Sequence, residues 1–217
     1  MTLLEVRESW HYTAQLLGKR VIDILGAGLG IFLFSPLMLG IALVIRLDSA
    51  GPIFFRQQRL GHGGKPFKVC KFRTMEVNAE QRLKELEQLN ESEGGVLFKM
   101  KSDPRVTRIG KILRSTSLDE LPQLFNVLQG HMSLVGPRPL QLRDCALGSR
   151  AYGDTFAKRL TVMPGVTGLW QVSGRSEIAF KDMLDLDIHY VEHWSLWLDL
   201  RIIWQTIQVV ITSKGAY

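Results

Sequence analysis

Cysteine is nearly absent. Only Cys70 and Cys145 occur in 217 residues, and neither has a Cys or His within five positions. A disulfide framework and a Cys-based zinc site are thereby excluded, and a reducing compartment is favoured. Internal repeats and low-complexity tracts are also missing. With 46% hydrophobic and 22% charged residues the chain is not a disordered one. Its length suits one domain of about 150–200 residues with an appendage, not two. An acidic excess is absent too: 27 Lys+Arg stand against 21 Asp+Glu, a net +6. An anionic partner follows from that sign, whether nucleic acid, an acidic lipid surface or a phosphorylated substrate.

Charge is absent altogether from Ile24 to Ile45. Sixteen of these 22 residues are apolar, and the others are Gly26, Gly28, Gly30, Ser35, Pro36 and Gly40. As one helix the run would reach about 33 Å, enough for a hydrocarbon core. A cleaved signal peptide fits poorly, because the run starts late, is too long and meets no small-x-small cleavage site. Proline at the midpoint removes a helix hydrogen bond and predicts a kink or break at Ser35-Pro36. Lys19 and Arg20 precede the run. Between residues 46 and 75 seven Lys/Arg follow it against one acid, Asp48. Basic flanks favour the cytoplasmic side. A straight span would put one of them outside, whereas a helix broken at Pro36 that enters and leaves by one leaflet satisfies both. Re-entry is therefore the expectation. Gly26, Gly28 and Gly30 lie inside this run, follow no strand, and read as small residues for close helix packing, not as a nucleotide loop.

Beyond the run, residues 52–60 and 66–75 read as two strands joined by the Gly61–Gly64 loop. Residues 77–93 form a glutamate-rich helical pattern ending at Gly94-Gly95, an exposed lid or spacer. A further helix is expected from about Leu121 to Leu128. Near the C-terminus, Trp197, Leu200, Trp204, Ile207 and Ile211 recur at helical spacing. They predict an amphipathic helix, suited either to a membrane interface or to covering the core. The expected fold class is thus α+β: a broken membrane helix in residues 1–50, then a membrane-surface domain in residues 51–217 with interfacial amphipathic helices.

Candidate chemistry centres on Ser117-Leu118-Asp119-Glu120-Leu121-Pro122. A capping box from Ser117 to Glu120 is the purely structural alternative, but it would put Pro122 inside the first turns of the helix. A helix starting near Pro122 is more comfortable and leaves both carboxylates just ahead of it. Paired carboxylates among many cations suit phosphate chemistry. One can hold Mg²⁺, the other can attack phosphorus, and Lys68, Arg73, Arg114 and Arg138 can offset the charge on the transferring oxygens. Arg138 stands between two prolines on a restricted backbone. His189-Tyr190-Val191-Glu192-His193 matches an inverted zinc-protease pattern, but five residues with two free positions specify little.

Several longer motifs occur in one order: Ser35-Pro36, Lys68 through Met75, Thr116 through Asn126, Met132 through Pro139, Pro164 through Gly168, and Gln171 through Arg175. Together they resemble the bacterial sugar transferases, the monotopic phosphoglycosyl transferases that start exopolysaccharide and O-antigen assembly. The resemblance implies transfer of a sugar 1-phosphate from a UDP-sugar to polyprenyl phosphate with release of UMP. It implies Asp119 as the nucleophile of a covalent phosphosugar intermediate and Glu120 as its partner at Mg²⁺. Lys68, Arg73, Arg114, Arg138 and Arg175 become phosphate or structural contacts. It also implies a re-entrant helix at the cytoplasmic face of a bacterial inner membrane. The partners would be membrane lipids and the two substrates, not nucleic acid, and an interface near the membrane would suit a homodimer. Long members carry extra membrane helices and a domain ahead of this core, and the expectation here is the catalytic unit alone. Direct attack by the lipid phosphate, a non-catalytic lipid-binding protein and a zinc hydrolase are the competing readings.

Overall fold

The uncharged run lies inside a single helix, α1 (Leu3–Asp48), in a computed structural model that describes residues 3–86, 90, 96–98, 100, 102–174 and 178–212. Pro36 sits within α1, and the helix continues through the position where the sequence predicted a kink or break. The Ser35 hydroxyl donates to the Phe32 carbonyl at 2.9 Å. That carbonyl is the acceptor a helical N–H at position 36 would have used, so the serine replaces the bond the proline removes. Thr13–Asp48 is long and apolar enough to cross a membrane.

One face of α1 packs on the rest of the chain on both sides of Pro36. Ala27 and Ile31 join Val69, Leu124, Val127 and Met132, while Met38, Ile41 and Ile45 join Phe72 and Leu113. The glycines divide by face. A Cβ on Gly26 would stand 2.7 Å from Leu134 and one on Gly30 3.0 Å from Leu124, whereas Gly28 and Gly40 face open space. Charged groups key the first half. Asp23 accepts from the Ser133 hydroxyl and the Leu134 amide, and Lys19 reaches Asp199 at 2.6 Å and the Val135 carbonyl at 2.9 Å. Arg20 donates to the last carbonyls of α4 (Gln123–Leu128). On the opposite face Leu25, Leu29, Phe32, Leu33, Leu39, Leu43 and Leu47 are exposed.

After α1 the chain forms the expected hairpin. β1 (Phe54–Leu60) and β2 (Pro66–Phe72) pair antiparallel from Phe54↔Phe72 to Leu60↔Pro66. The turn uses Gly63 and Gly64 at positive φ, open to glycine without strain. α2 (Ala79–Leu86) follows within the glutamate-rich pattern; residues 87–89 and 91–95 of that stretch lie outside the described residues. α3 (Arg108–Ser115) is capped by Thr107, whose hydroxyl accepts from the Gly110 amide at 2.9 Å. A 3-10 turn, Leu118–Glu120, leads into α4, with Pro122 as its N-cap.

A second, parallel pair joins β3 (Ser133–Val135) to β4 (Gly165–Thr167). Between them runs α5 (Leu142–Lys158), kinked at Gly153, and beyond them α6 (Leu169–Ser173), α7 (Phe180–Glu192) and α8 (Leu196–Thr212). Among the described residues the fold is therefore mixed, with helices around two small sheets. α8 buries Ile202 with Val135 and Tyr190 and leaves Trp197, Leu200, Trp204 and Ile207 exposed. One face of α8 thus covers the core, and the other is an exposed apolar stripe.

The approach of α3 to the strand end at Thr74 sets the floor of the site below. A Cβ on Gly110 would lie 2.0 Å from the Thr74 carbonyl oxygen. Alanine is the better helix former by up to about 1 kcal/mol, yet Gly110→Ala should lower stability by about 2 kcal/mol, because backbone must move. A melting temperature that stays level or rises in Gly110→Ala would remove this constraint.

Candidate functional site

Asp119 and Glu120 share a backbone turn but not an environment. Ser117 enters the turn at φ 58°, the sole non-glycine positive φ among the described residues, and its side chain caps nothing. The capping box is therefore not formed. The left-handed residue reverses the chain so that Asp119 lines a cavity of about 530 Å³, while Glu120 is not part of that lining.

Glu120 is clamped. Its Oε1 accepts from Lys71 Nζ and Arg138 Nη2, both at 2.5 Å, and its Oε2 from Arg138 Nη1 at 3.2 Å. Burial by itself would raise its pKa, but Arg138 and Lys71 overcome that and hold the carboxyl well below the usual range. Asp119 goes the other way. It is 7% exposed, and burial raises its pKa, with the charge on Glu120 adding to the effect and Lys71, at 3.7 Å, opposing it. Burial also pushes Lys71 down, against the pull of Glu120. Two neighbouring carboxylates are thus split into a fixed anion and a less acidic group facing the cavity.

Three elements make this arrangement. Lys71 comes from the end of β2. Arg138 comes from the Pro137–Pro139 loop, whose backbone is pinned from both sides: Arg159 donates to the Arg138 carbonyl at 2.9 Å and Arg59 to the Pro139 carbonyl at 3.1 Å. Arg159 is itself paired with Asp187 at 2.7 Å, both side chains at most 2% exposed. The Gly136 amide and the Pro137 carbonyl tie the same loop to β4.

The other expected cations separate. Arg114 lines the cavity and donates to the Thr74 hydroxyl at 3.0 Å. Arg73 also lines it, but its guanidinium donates to the Ser49 and Ala50 carbonyls, tying β2 to the end of α1, a structural contact. Lys68 is exposed and outside the cavity lining. Arg175 lies outside the described residues. The histidine motif ends α7 on the surface, where Glu192 pairs with Lys158 at 2.8 Å.

Sequence reasoning passed over Lys71 as a site residue, although alternation in β2 offered the signal. Lys68 and Lys71 are an odd number of positions apart, so one strand sends them to opposite faces. It also passed over Arg105, bidentate on buried Asp103, and the cluster Gln57, Arg59, Gln141 and Asp144 in the cavity wall. Nothing in their local sequence marks them, because β1 and α5 meet only in the fold.

Mg²⁺ usually takes one or two carboxylates and completes its shell with water and substrate phosphate. Among the described residues no group of three or more His, Cys, Asp or Glu forms a dedicated cage. Asp119 and the remaining Oε2 lone pair of Glu120 fit the sparser pattern; Oε1 of Glu120 is filled.

The profile of the bacterial sugar transferase family matches residues 14–213. The chain belongs to that family. It is 44% identical over 204 residues to the galactosyl transferase CpsE of Streptococcus agalactiae, covering 94% of this chain and 44% of that protein. It is 41% identical to the exopolysaccharide production protein ExoY of Rhizobium meliloti over 93% of this chain and 88% of that one. The UDP-glucose:undecaprenyl-phosphate glucose-1-phosphate transferase of Caulobacter vibrioides is 42% identical, over 93% and 72% respectively. The chain spans less than half the length of CpsE and most of ExoY.

One buried acid of the cavity gives a stability test. Burial raises the pKa of Asp144 to about 6, against the weaker pull of Arg59 and Arg143. The folded state thus favours its protonated form. That preference contributes fully below pH 3.8, the group's ordinary pKa, and is lost as pH rises through about 6. Asp144→Asn should therefore stabilise the protein by roughly 2 kcal/mol at pH 8 and by almost nothing at pH 4. Thermal unfolding at both values checks this, and equal shifts at the two would refute the assignment.

Proposed function

We propose that this sugar transferase moves a sugar 1-phosphate from a UDP-sugar to polyprenyl phosphate, with Asp119 as the nucleophile. The observation that carries the reading is the division of the carboxylate pair: Glu120 is locked by Lys71 and Arg138, while Asp119 alone faces the cavity. The names of relatives acting on undecaprenyl phosphate support the substrate pair.

In the first step an Asp119 oxygen attacks the phosphorus that bears the sugar. The bond from that phosphorus to the bridging oxygen breaks, and UMP leaves with the electron pair. In the second, an oxygen of the lipid phosphate attacks the same phosphorus and the Asp119 carboxylate leaves, giving polyprenyl diphosphate-sugar. Lys71 and Arg114 would stabilise the charge spreading over the transferring oxygens. Asp119 and Glu120 would hold Mg²⁺, which when bound would neutralise diphosphate charge. Lys71 also sets how much of Asp119 is ionised.

The lipid acceptor cannot leave the membrane cheaply, since each buried CH₂ is worth about 0.8 kcal/mol. We read α1 as seated in the inner leaflet from the cytoplasmic side. In support, residues on both sides of Pro36 pack against one body, and the opposite face of the helix is an uninterrupted apolar surface. A helix crossing the bilayer would carry one of those packed stretches away from the domain. Cysteines placed at positions 13 and 57 should both react with an impermeant reagent only after the cytoplasmic face is opened; reaction of one of them from outside would sink the re-entrant reading.

Asp119→Asn should abolish UMP release from UDP-sugar with and without lipid, and wild-type protein should retain label from a sugar-phosphorus-labelled substrate. Lipid-dependent transfer without trapped label would instead point to direct attack by the lipid phosphate. Because Lys71 lowers the Asp119 pKa, Lys71→Met should move the acid limb of the pH–rate profile to higher pH. An unmoved limb would show that another group governs it.

A further inference from the structure

The cavity lined by Asp119 carries two kinds of polar wall. Lys71 and Arg114 form a cationic set beside the Arg105–Asp103 pair; Gln57, Arg59, Glu80, Gln141, Arg143 and Asp144, from β1, α2 and the start of α5, form a mixed one of amides, acids and arginines. The second set is wired in a fixed direction. Arg59 can only donate, and its Nη2 gives a hydrogen bond to Gln57 Oε1 at 2.7 Å. That fixes which end of the Gln57 amide is oxygen. Its nitrogen then donates to Glu80 Oε1 at 2.8 Å and Gln141 Oε1 at 3.4 Å. The Gln141 oxygen is thereby directed at Gln57. Its amide nitrogen meets no protein acceptor among the described residues.

Asp144 stands three residues further, in the first turn of α5, 5% exposed and in the same lining. The Gln141 backbone amide favours its charged form, against the larger effect of burial. The pair therefore offers a donor beside an acceptor. A phosphate group calls for donors only and is repelled by a carboxylate. A group with both polarities on adjacent atoms, such as vicinal hydroxyls or an imide edge, matches it.

We infer that Gln141 and Asp144 form a hydrogen-bonding subsite for the uncharged part of the nucleotide sugar, its hydroxylated ring or base, while the cationic set takes the diphosphate. This rests on the reading of the cavity as the UDP-sugar site and assigns its internal orientation. Gln57 and Arg59 act through Gln141 and are positioning residues.

The test uses the full chain in lipid nanodiscs, with UMP release measured against UDP-glucose, UDP-galactose and their N-acetylated forms. Gln141→Leu and Asp144→Asn should each raise KM by roughly tenfold, the effect of one lost hydrogen bond to a buried partner, with kcat within about threefold. Competition by UMP locates the contact. If UMP inhibits the variants as strongly as wild type, the subsite holds the sugar; if UMP inhibition weakens in parallel with KM, it holds the nucleoside. Wild-type KM in both variants, or a loss confined to kcat, overturns the inference while leaving Asp119 chemistry intact. Absence of UMP release from wild type with every UDP-sugar overturns the parent reading, and this one with it.

Discussion

The site depends on one ion cluster, in which Lys71 and Arg138 share Oε1 of Glu120. It joins the end of the hairpin, the turn after α3 and the proline-flanked loop after β3. Each of these charges is largely buried, and each would be costly without the others. Breaking one contact would leave a buried charge unpaired, so the cluster holds the three segments in one arrangement. The same cluster gives Asp119 its character, because burial and a fixed neighbouring anion both disfavour its ionised form, while Lys71, with Arg114 and Arg138, counters them. A carboxylate that is ionised yet poorly solvated is a better nucleophile than one wrapped in water or hydrogen bonds.

A second constraint ties this chemistry to an apolar surface. α1 is fastened to the domain along its length, by Lys19, Arg20 and Asp23 in the first half and by Met38, Ile41 and Ile45 in the second. Arg73, at the edge of the cavity, holds the carbonyls where α1 ends. The distance from the apolar face of α1 to Asp119 is therefore set by packed and hydrogen-bonded contacts instead of by a linker. Such a connection suits a reaction in which one substrate is confined to a plane.

Much of this was legible in order along the chain. The uncharged run, the hairpin around Gly61–Gly64, the helix start at Pro122 and two of the three expected close-packing glycines, 26 and 30 but not 28, follow from local rules: charge, turn chemistry, proline geometry and side-chain size. The proline was read as a kink or break; the helix runs through it, and local reasoning left out one hydrogen bond. Ser35 supplies the Phe32 carbonyl with a donor, and packing on both sides holds the helix together. The cation assignments were less legible. Arg114 and Arg138 reach the site, Lys68 faces solvent, and Arg73 is engaged with backbone. A list of basic residues has no way to separate these outcomes, because each is set by which strand face or loop the residue occupies.

The sequence by itself determined the chemistry available: an adjacent carboxylate pair after a turn, an excess of cations and one helix too apolar for water. These are properties of residue types and short spacings, which no fold can add or remove. Only the tertiary structure decided which carboxylate is free and which is clamped, and which amides and acids face it across the cavity. Those choices depend on burial and on charges brought from 49 and 18 residues away. Desolvation and Coulombic coupling act through space, so they come into being only when distant segments pack together.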